Sequence, residues 1–239
     1  MDARFLREEM LLGAEAMARL RGAHVAVVGL GGVGSWCAEA LARCGLGALT
    51  VMDEDSVALS NINRQAIALD STLGRPKAEV MAARIRDIAP DCAVTAIVGR
   101  YEAASRETLF SAGRYDYIVD AIDLVSCKLD LICTARERGI PIVSALGTGN
   151  KLDAAQLRLG DISATQGCPL ARVVRKELRA RGITHHAVVY SPEQGLTPAQ
   201  PEAPPPGRRS IPGSLVWVPA SAGLLLCQKV VLELSGISI

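Results

Sequence analysis

Histidine is nearly absent from this chain: His24, His185 and His186 are the only three in 239 residues. So few cannot build a histidine metal cluster, and no catalytic triad can be assembled around them. Aromatics are scarce as well, at 3%, so the core must come from Val, Ile, Leu and Ala. Seven cysteines occur, but the number is odd and no two are spaced C-x-x-C, which argues against both a disulfide framework and a zinc ribbon. Excess charge of either sign is missing: the formal net charge of +1 gives no global reason to expect nucleic acid and leaves only a local basic patch to look for. Long apolar runs are missing too. The longest, residues 215–227, contains Pro219 and is too short to span a bilayer. The N-terminus, with Asp2, Arg4, Arg7, Glu8 and Glu9, is unlike a signal peptide. The expectation is a cytoplasmic protein in a reducing setting, without an integral membrane segment.

What is present is an alternation of strand and helix. An apolar content of 49% over 239 residues suits one α/β domain with a large core. Residues 25–53 read as strand, glycine turn, helix and second strand. In the turn Gly29-Leu30-Gly31-Gly32-Val33-Gly34, Gly29 permits the bend after the strand, and Gly31 and Gly32 let backbone approach a phosphate. Gly34 lets the next helix pack close to the sheet, with its N-terminus aimed at an anion. Asp53 ends the second strand, where a carboxylate accepts from ribose hydroxyls. The default reading of such a turn is a dinucleotide site.

The stretch after Asp53 changes that default. A polar loop ends in Ser60-Asn61-Ile62-Asn63-Arg64-Gln65, and Lys77 opens a helix over residues 78–88. Arg64 and Lys77 are two cations on the side of the sheet that carries the glycine turn. One pyrophosphate does not need both; a triphosphate does. Further strands are expected at residues 94–98, 117–120 and 140–144. The third of these follows a helix over 127–138. Asp120 and Asp123 follow the strand at 117–120, where α/β sheets bind ligands. Asp123 suits a magnesium ion, and Asp120 a loop-fixing role.

Regular alternation stops at residue 147. A strand over 157–162, a helix over 170–181 and a strand over 187–191 are expected. A Pro-rich loop over 191–214 follows, with residues 204–206 extended. The end of the chain reads as a short strand near Val216 and a helix over 220–234. Arg172, Arg175, Lys176 and Arg179 share one face of the helix at 170–181, either as a solvated surface or as a contact for a phosphate backbone. Arg7 likewise reads as a surface arginine or a phosphate ligand. Cys168, just before Pro169 at a helix start, suits a structural role.

Taken together, Arg4-Phe5-x-Arg7, the glycine turn, Asp53, the Asn-x-Asn-Arg-Gln loop, Lys77 and Asp120-x-x-Asp123 resemble the ubiquitin-activating-type adenylating superfamily that includes ThiF and MoeB. The resemblance implies an α/β, Rossmann-like, mostly parallel sheet with helices on both faces. It implies one adenylation domain over 1–239: a nucleotide-binding core at 4–150, then a crossover and substrate-side segment at 151–239. ATP would bind at Gly29, Gly31, Gly32, Gly34, Asp53, Asp55, Asn61 and Asn63. Arg64 and Lys77 would contact phosphates, Asp123 would hold magnesium, and Arg7 would enter the neighbouring subunit's site of a homodimer.

Cys168-Pro-Leu-Ala-Arg172, Arg208-Arg209-Ser-Ile-Pro-Gly-Ser214 and Pro219-Ala-Ser-Ala-Gly223 are similar to one branch, which dehydrates N6-threonylcarbamoyladenosine in tRNA to its cyclic form. That resemblance implies a modified tRNA as substrate, with Arg172, Arg175, Lys176 and Arg179 as contact candidates. The rival is a ThiF/MoeB-like adenylation of a sulfur carrier's C-terminal glycine, though such proteins usually carry the paired C-x-x-C ligands missing here. A monovalent cation in the loops and a cysteine-desulfurase or other sulfur-transfer partner are left open.

Overall fold

The computed structural model describes residues 2–200 and 211–237. The expectation of an extended run at 204–206, and Arg208 and Arg209 of the branch motif, lie outside the described residues. Two short helices, α1 (Leu6–Leu12) and α2 (Ala14–Gly22), are parted at Gly13, whose φ is +85°. They lead into β1 (His24–Val28), α3 (Gly34–Arg43), β2 (Ala48–Asp53), α4 (Lys77–Ile88) and β3 (Ala93–Val98). A five-residue helix α5 (Arg106–Phe110) precedes β4 (Tyr117–Asp120), α6 (Val125–Glu137) and β5 (Ile142–Ala145). Then come β6 (Arg158–Asp161), α7 (Pro169–Ala180), β7 (Ala187–Tyr190) and α8 (Trp217–Ser235).

All seven strands form one sheet in the order β3-β2-β1-β4-β5-β7-β6. Every neighbouring pair is parallel except β6 with β7, so the one antiparallel strand lies at the edge. The chain leaves β1 towards β2 on one side and resumes with β4 on the other. This reversal opens a crevice at the carboxyl ends of β1, β2 and β4. Register aligns the three ends: Val28 pairs with both Met52 and Asp120.

Alternate residues of the central strands feed two cores, as period-2 geometry requires. Val25, Val27, Leu49 and Val51 face one side, packed with α2, α3, α4 and α8. Ala26, Val28, Met52 and Ile118 face the other, packed with α5, α6 and α7.

Packing of the helices follows from which faces are apolar, and two expectations for the C-terminal end need correction. On α3 the buried side is Cys37, Ala38, Leu41 and Ala42, whereas Trp36 is half-buried on the flank and donates its indole N–H to the Arg64 carbonyl at 3.0 Å. No strand forms at Val216, because α8 already begins at Trp217. It runs long and apolar enough to cross a membrane by length and composition, so shortness does not distinguish it from a span. Half of its apolar window is instead buried in the protein, with Val218, Ala222, Leu226 and Val230 at four-residue steps in the core and Leu224 exposed. A Cβ on Gly223 would lie 2.5 Å from the Val33 carbonyl oxygen, which shows how closely α8 approaches the start of α3. On α1, Leu6, Met10 and Leu11 are exposed, while Met17 and Leu20 of α2 carry the burial.

His186, just before β7, is buried, with Nε2 2.7 Å from the Ser144 hydroxyl. Burial, helped by the charges of Lys128 and Arg136, pushes its pKa down to about 3 from an ordinary value of 6.5. The unfolded chain therefore takes up a proton below pH 6.5 that the folded chain refuses until about pH 3. The stability from the neutral ring is complete above pH 6.5 and is lost as pH falls towards 3. Urea unfolding should show the wild type losing roughly 2 kcal/mol more between pH 7 and pH 5 than His186→Gln; equal losses would contradict this assignment.

Candidate functional site

The crevice at the strand ends deepens into a cavity of about 1150 Å³. Its floor is the glycine turn. Gly29 has φ +90°, and a Cβ there would lie 2.7 Å from the Ala121 carbonyl oxygen. A Cβ on Gly34 would lie only 1.8 Å from the Gly29 carbonyl oxygen, so the first turn of α3 rests directly on the end of β1. Gly31 has nothing within 4 Å of a built Cβ, while Gly32 lies against Pro219 of α8. Asp53 clamps this turn to β2: one carboxylate oxygen accepts from the Leu30 N–H at 2.6 Å and the other from the Asp55 N–H at 2.8 Å. Burial raises its pKa, against the pull of those two donors and the charge of Lys77. Each oxygen keeps lone-pair capacity for a further donor.

The polar loop after β2 holds the first cation. Asn61 accepts from the Ala58 N–H through its side chain, and its carbonyl accepts from the Arg64 and Gln65 N–H groups. Arg64 Nη1 donates to the Ser60 carbonyl at 2.7 Å and to Asn63 Oδ1 at 2.9 Å, both neutral acceptors. Burial lowers its pKa, which leaves it charged at neutral pH. Asn63 does not line the cavity; it braces Arg64 and donates to the Ser214 carbonyl at 3.0 Å. The second cation, Lys77, opens α4 and is 4% exposed. Its Nζ lies 2.8 Å from Asp55 Oδ2, and its N–H donates to the Asp55 carbonyl.

The end of β4 is fixed by an ion pair with no exposure on either side. Lys128 Nζ of α6 donates to Asp120 Oδ2 at 2.6 Å and to the Ala145 carbonyl of β5 at 2.9 Å. Asp120 Oδ1 accepts from the Ile122 N–H at 3.0 Å. Asp120 thus holds the loop, as its position suggested, and presents Asp123 at the cavity wall. Sequence reasoning missed Lys128. The signal was a cation set among Cys127, Leu129, Leu131 and Ile132 on a helix that faces the sheet.

The far wall comes from beyond β5. Asn150 is the one non-glycine residue with positive φ, +61°, among the described residues. It accepts from the Gly213 N–H at 2.6 Å and from the Leu196 N–H at 2.8 Å, stitching three loops together. Next to it, Lys151 is 4% exposed and donates to the carbonyls of Ser191 at 2.9 Å and Glu193 at 2.7 Å. Cys168 is buried at the head of α7, where its sulfur accepts from the Ala171 N–H at 3.5 Å, a structural cap. Of the basic face of α7, Arg172 is exposed at the cavity rim and Lys176 and Arg179 are exposed beyond it. Arg175 is half-buried and donates to the Thr165 carbonyl at 2.7 Å, so it serves as a tether and not as part of an open stripe. Arg7 is exposed on α1 and does not line this chain's cavity.

Comparison with known proteins agrees with this geometry. The model of the ThiF family matches residues 5–234. The chain is 39% identical to a tRNA threonylcarbamoyladenosine dehydratase of Bacillus subtilis, over 96% of this chain and 94% of that protein. It is 43% identical to the Escherichia coli protein of the same name, over 74% of this chain and 66% of that one. The crystal structure of the E. coli tRNA N6-threonylcarbamoyladenosine dehydratase TcdA in complex with ATP superposes with a TM-score of 0.87, at 36% identity, covering 98% of this chain and 94% of that one.

Removing one partner of the buried pair strands the other charge. Lys128→Ala should lower the unfolding free energy by about 3–5 kcal/mol, read by urea denaturation. The double substitution Asp120→Asn with Lys128→Met should recover most of that loss. A double variant no more stable than Lys128→Ala would show that the stranded charge is not the cause.

Proposed function

This chain belongs to the ThiF family, and on that premise we propose that it is an ATP-dependent dehydratase that cyclises N6-threonylcarbamoyladenosine in tRNA. The observation that carries the reading is one cavity lined by the glycine turn, Arg64, Lys77 and Asp123, in a chain alike over almost its whole length to dehydratases of that name.

A carboxylate resists attack because its leaving group would be oxide. In the first step a carboxylate oxygen of the substrate's threonyl group attacks the α-phosphorus of ATP, the bond to the bridging oxygen breaks, and pyrophosphate leaves. Arg64, held by neutral acceptors, retains its full charge for the departing phosphates. Lys77 exchanges part of its pairing with the exposed Asp55 for the same anion. Asp53 accepts from ribose hydroxyls while it clamps the turn. Among the described residues no set of three acidic, His or Cys side chains could hold a metal. Asp123 would hold a magnesium ion that arrives with the triphosphate, as is usual for that ion. Bound there, the ion supplies charge neutralisation.

In the second step the carbamoyl oxygen of the same molecule attacks the acyl carbon. AMP leaves with the original carboxylate oxygen, and the carbamoyl nitrogen gives up a proton. Intramolecular closure requires no protein nucleophile, consistent with Cys168 being spent as a cap, and it requires no sulfur-transfer partner. A monovalent cation in the loops remains part of the proposal without entering either step. Arg172, Lys176 and Arg179 form the exposed basic surface for tRNA phosphates. A homodimer would cover the exposed Leu6, Met10 and Leu11 of α1 and carry Arg7 to the partner's cavity. Seven free cysteines suit the reducing cytoplasm.

Incubation with ATP, magnesium and tRNA carrying the modification should yield AMP and a nucleoside lighter by one water by mass spectrometry. An unchanged nucleoside, with pyrophosphate exchange that depends instead on a sulfur-carrier protein, would overturn the reading. Arg7→Ala and Asp123→Ala should each abolish or sharply reduce turnover while leaving the fold intact. Mixing the two should restore partial activity, because a mixed dimer has one site with both residues; no recovery after subunit exchange would contradict the shared site.

A further inference from the structure

Lys151 is a buried cation that neither step above uses. Its ammonium has three donors, and two are spent on the carbonyls of Ser191 and Glu193. Among the described residues no carboxylate lies within ion-pair distance of it. Glu193 spends its carboxylate on the Leu152 N–H at 2.9 Å and the Asp153 N–H at 3.1 Å, and from there its charge only partly opposes the effect of burial on the lysine. Burial lowers the lysine's pKa, as expected for an ammonium held by neutral acceptors. Such an arrangement is costly for a tether, because neutral acceptors replace hydration without neutralising the charge.

Its position separates it from the phosphate cations. Arg64 and Lys77 reach the cavity from the β2 side of the crevice, whereas Lys151 follows β5. In the order β2-β1-β4-β5, the carboxyl end of β5 lies about 10 Å from that of β1 and about 14 Å from that of β2. The same cavity wall carries Gly147, Asn150 and Cys168. An anion at Lys151 would therefore stand across the cavity from the leaving phosphates. Asn150, with its positive φ and its ties to Gly213 and Leu196, fixes the backbone from which Lys151 extends.

We infer that Lys151 is the residue that recognises the carboxylate of the substrate's threonylcarbamoyl group, holding it for attack on the α-phosphate. The inference rests on the dehydratase reading. One charge-assisted hydrogen bond from the third N–H, in a water-poor wall, separates a carboxylate-bearing nucleoside from plain adenosine. No new bond to protein forms; the lysine stays protonated and releases the carboxylate when its charge passes to the departing pyrophosphate.

The test uses Lys151→Met and Lys151→Arg in the full chain. Lys151→Met should raise the KM for tRNA carrying the modification at least about tenfold, the worth of one such bond. ATP affinity and affinity for tRNA with unmodified adenosine should stay unchanged, and Lys151→Arg should recover part of the loss. With the wild type alone, the free modified nucleoside should inhibit at least about tenfold better than its uncharged methyl ester; this arm stands even where the Met variant fails to fold. An unchanged KM, an equal loss for both tRNAs, a parallel loss of ATP affinity, or equal inhibition by acid and ester would each overturn the assignment. Wild-type turnover in the same assay reports separately on the dehydratase reading: active wild type with any of those results removes only the role of Lys151.

Discussion

The crevice depends on an ion pair that no solvent reaches. Lys128 and Asp120 meet at the end of β4, and the same ammonium also binds the carbonyl of Ala145 in β5. The pair therefore sets three things together: the alignment of two strand ends, the path of the loop at 121–124, and the presentation of Asp123 at the cavity. A buried pair of this kind contributes little net stability against an apolar replacement, but losing either partner is severe. Its value here is positional. Together with the Asp53 clamp on the glycine turn, it fixes the strand ends around which the site is built.

The cavity is organised by a graded use of charge. Arg64 is held by neutral acceptors, Lys77 by a carboxylate that is itself largely in water, and Lys151 by two carbonyls. None of the three is fully neutralised in a dry environment, so each retains attraction for an incoming anion. A triphosphate and a carboxylate repel one another in water. A cavity with cations on opposing walls brings them together without asking either to lose its charge first. In the proposed mechanism, reaction then moves negative charge towards the side where Arg64 and Lys77 stand.

Much of the fold was legible because strand and helix alternate regularly as far as residue 147, with apolar strands buried on both faces. Gly29, Gly31, Gly32, Asp53, Arg64, Lys77 and Asp123 were legible because they sit at strand ends or helix starts, where an α/β sheet gathers ligands, and the structure places them on one cavity, with Gly34 packed beneath it against Gly29. The rest depended on distance along the chain. Lys151 binds carbonyls some forty residues away, which no local period encodes. Helical spacing put Arg175 on the basic face, but only the packed loop shows that Thr165 takes its guanidinium. Asn63 reads as a nucleotide ligand from the family resemblance, and its bonds to Arg64 and Ser214 as a brace are visible only in the packed loops. α5 is too short for its period to register, and α8 hid its first turn behind Pro219, which a helix tolerates near its start.

Oxygen-18 placed in both carboxylate oxygens of the substrate's threonyl group follows the chemistry atom by atom. If the carboxylate attacks the α-phosphorus, one labelled oxygen must leave with each AMP released, while its partner stays as the carbonyl oxygen of the cyclic product. Unlabelled AMP, with the heavy oxygen recovered in water or in inorganic phosphate, would contradict activation through an acyl-adenylate.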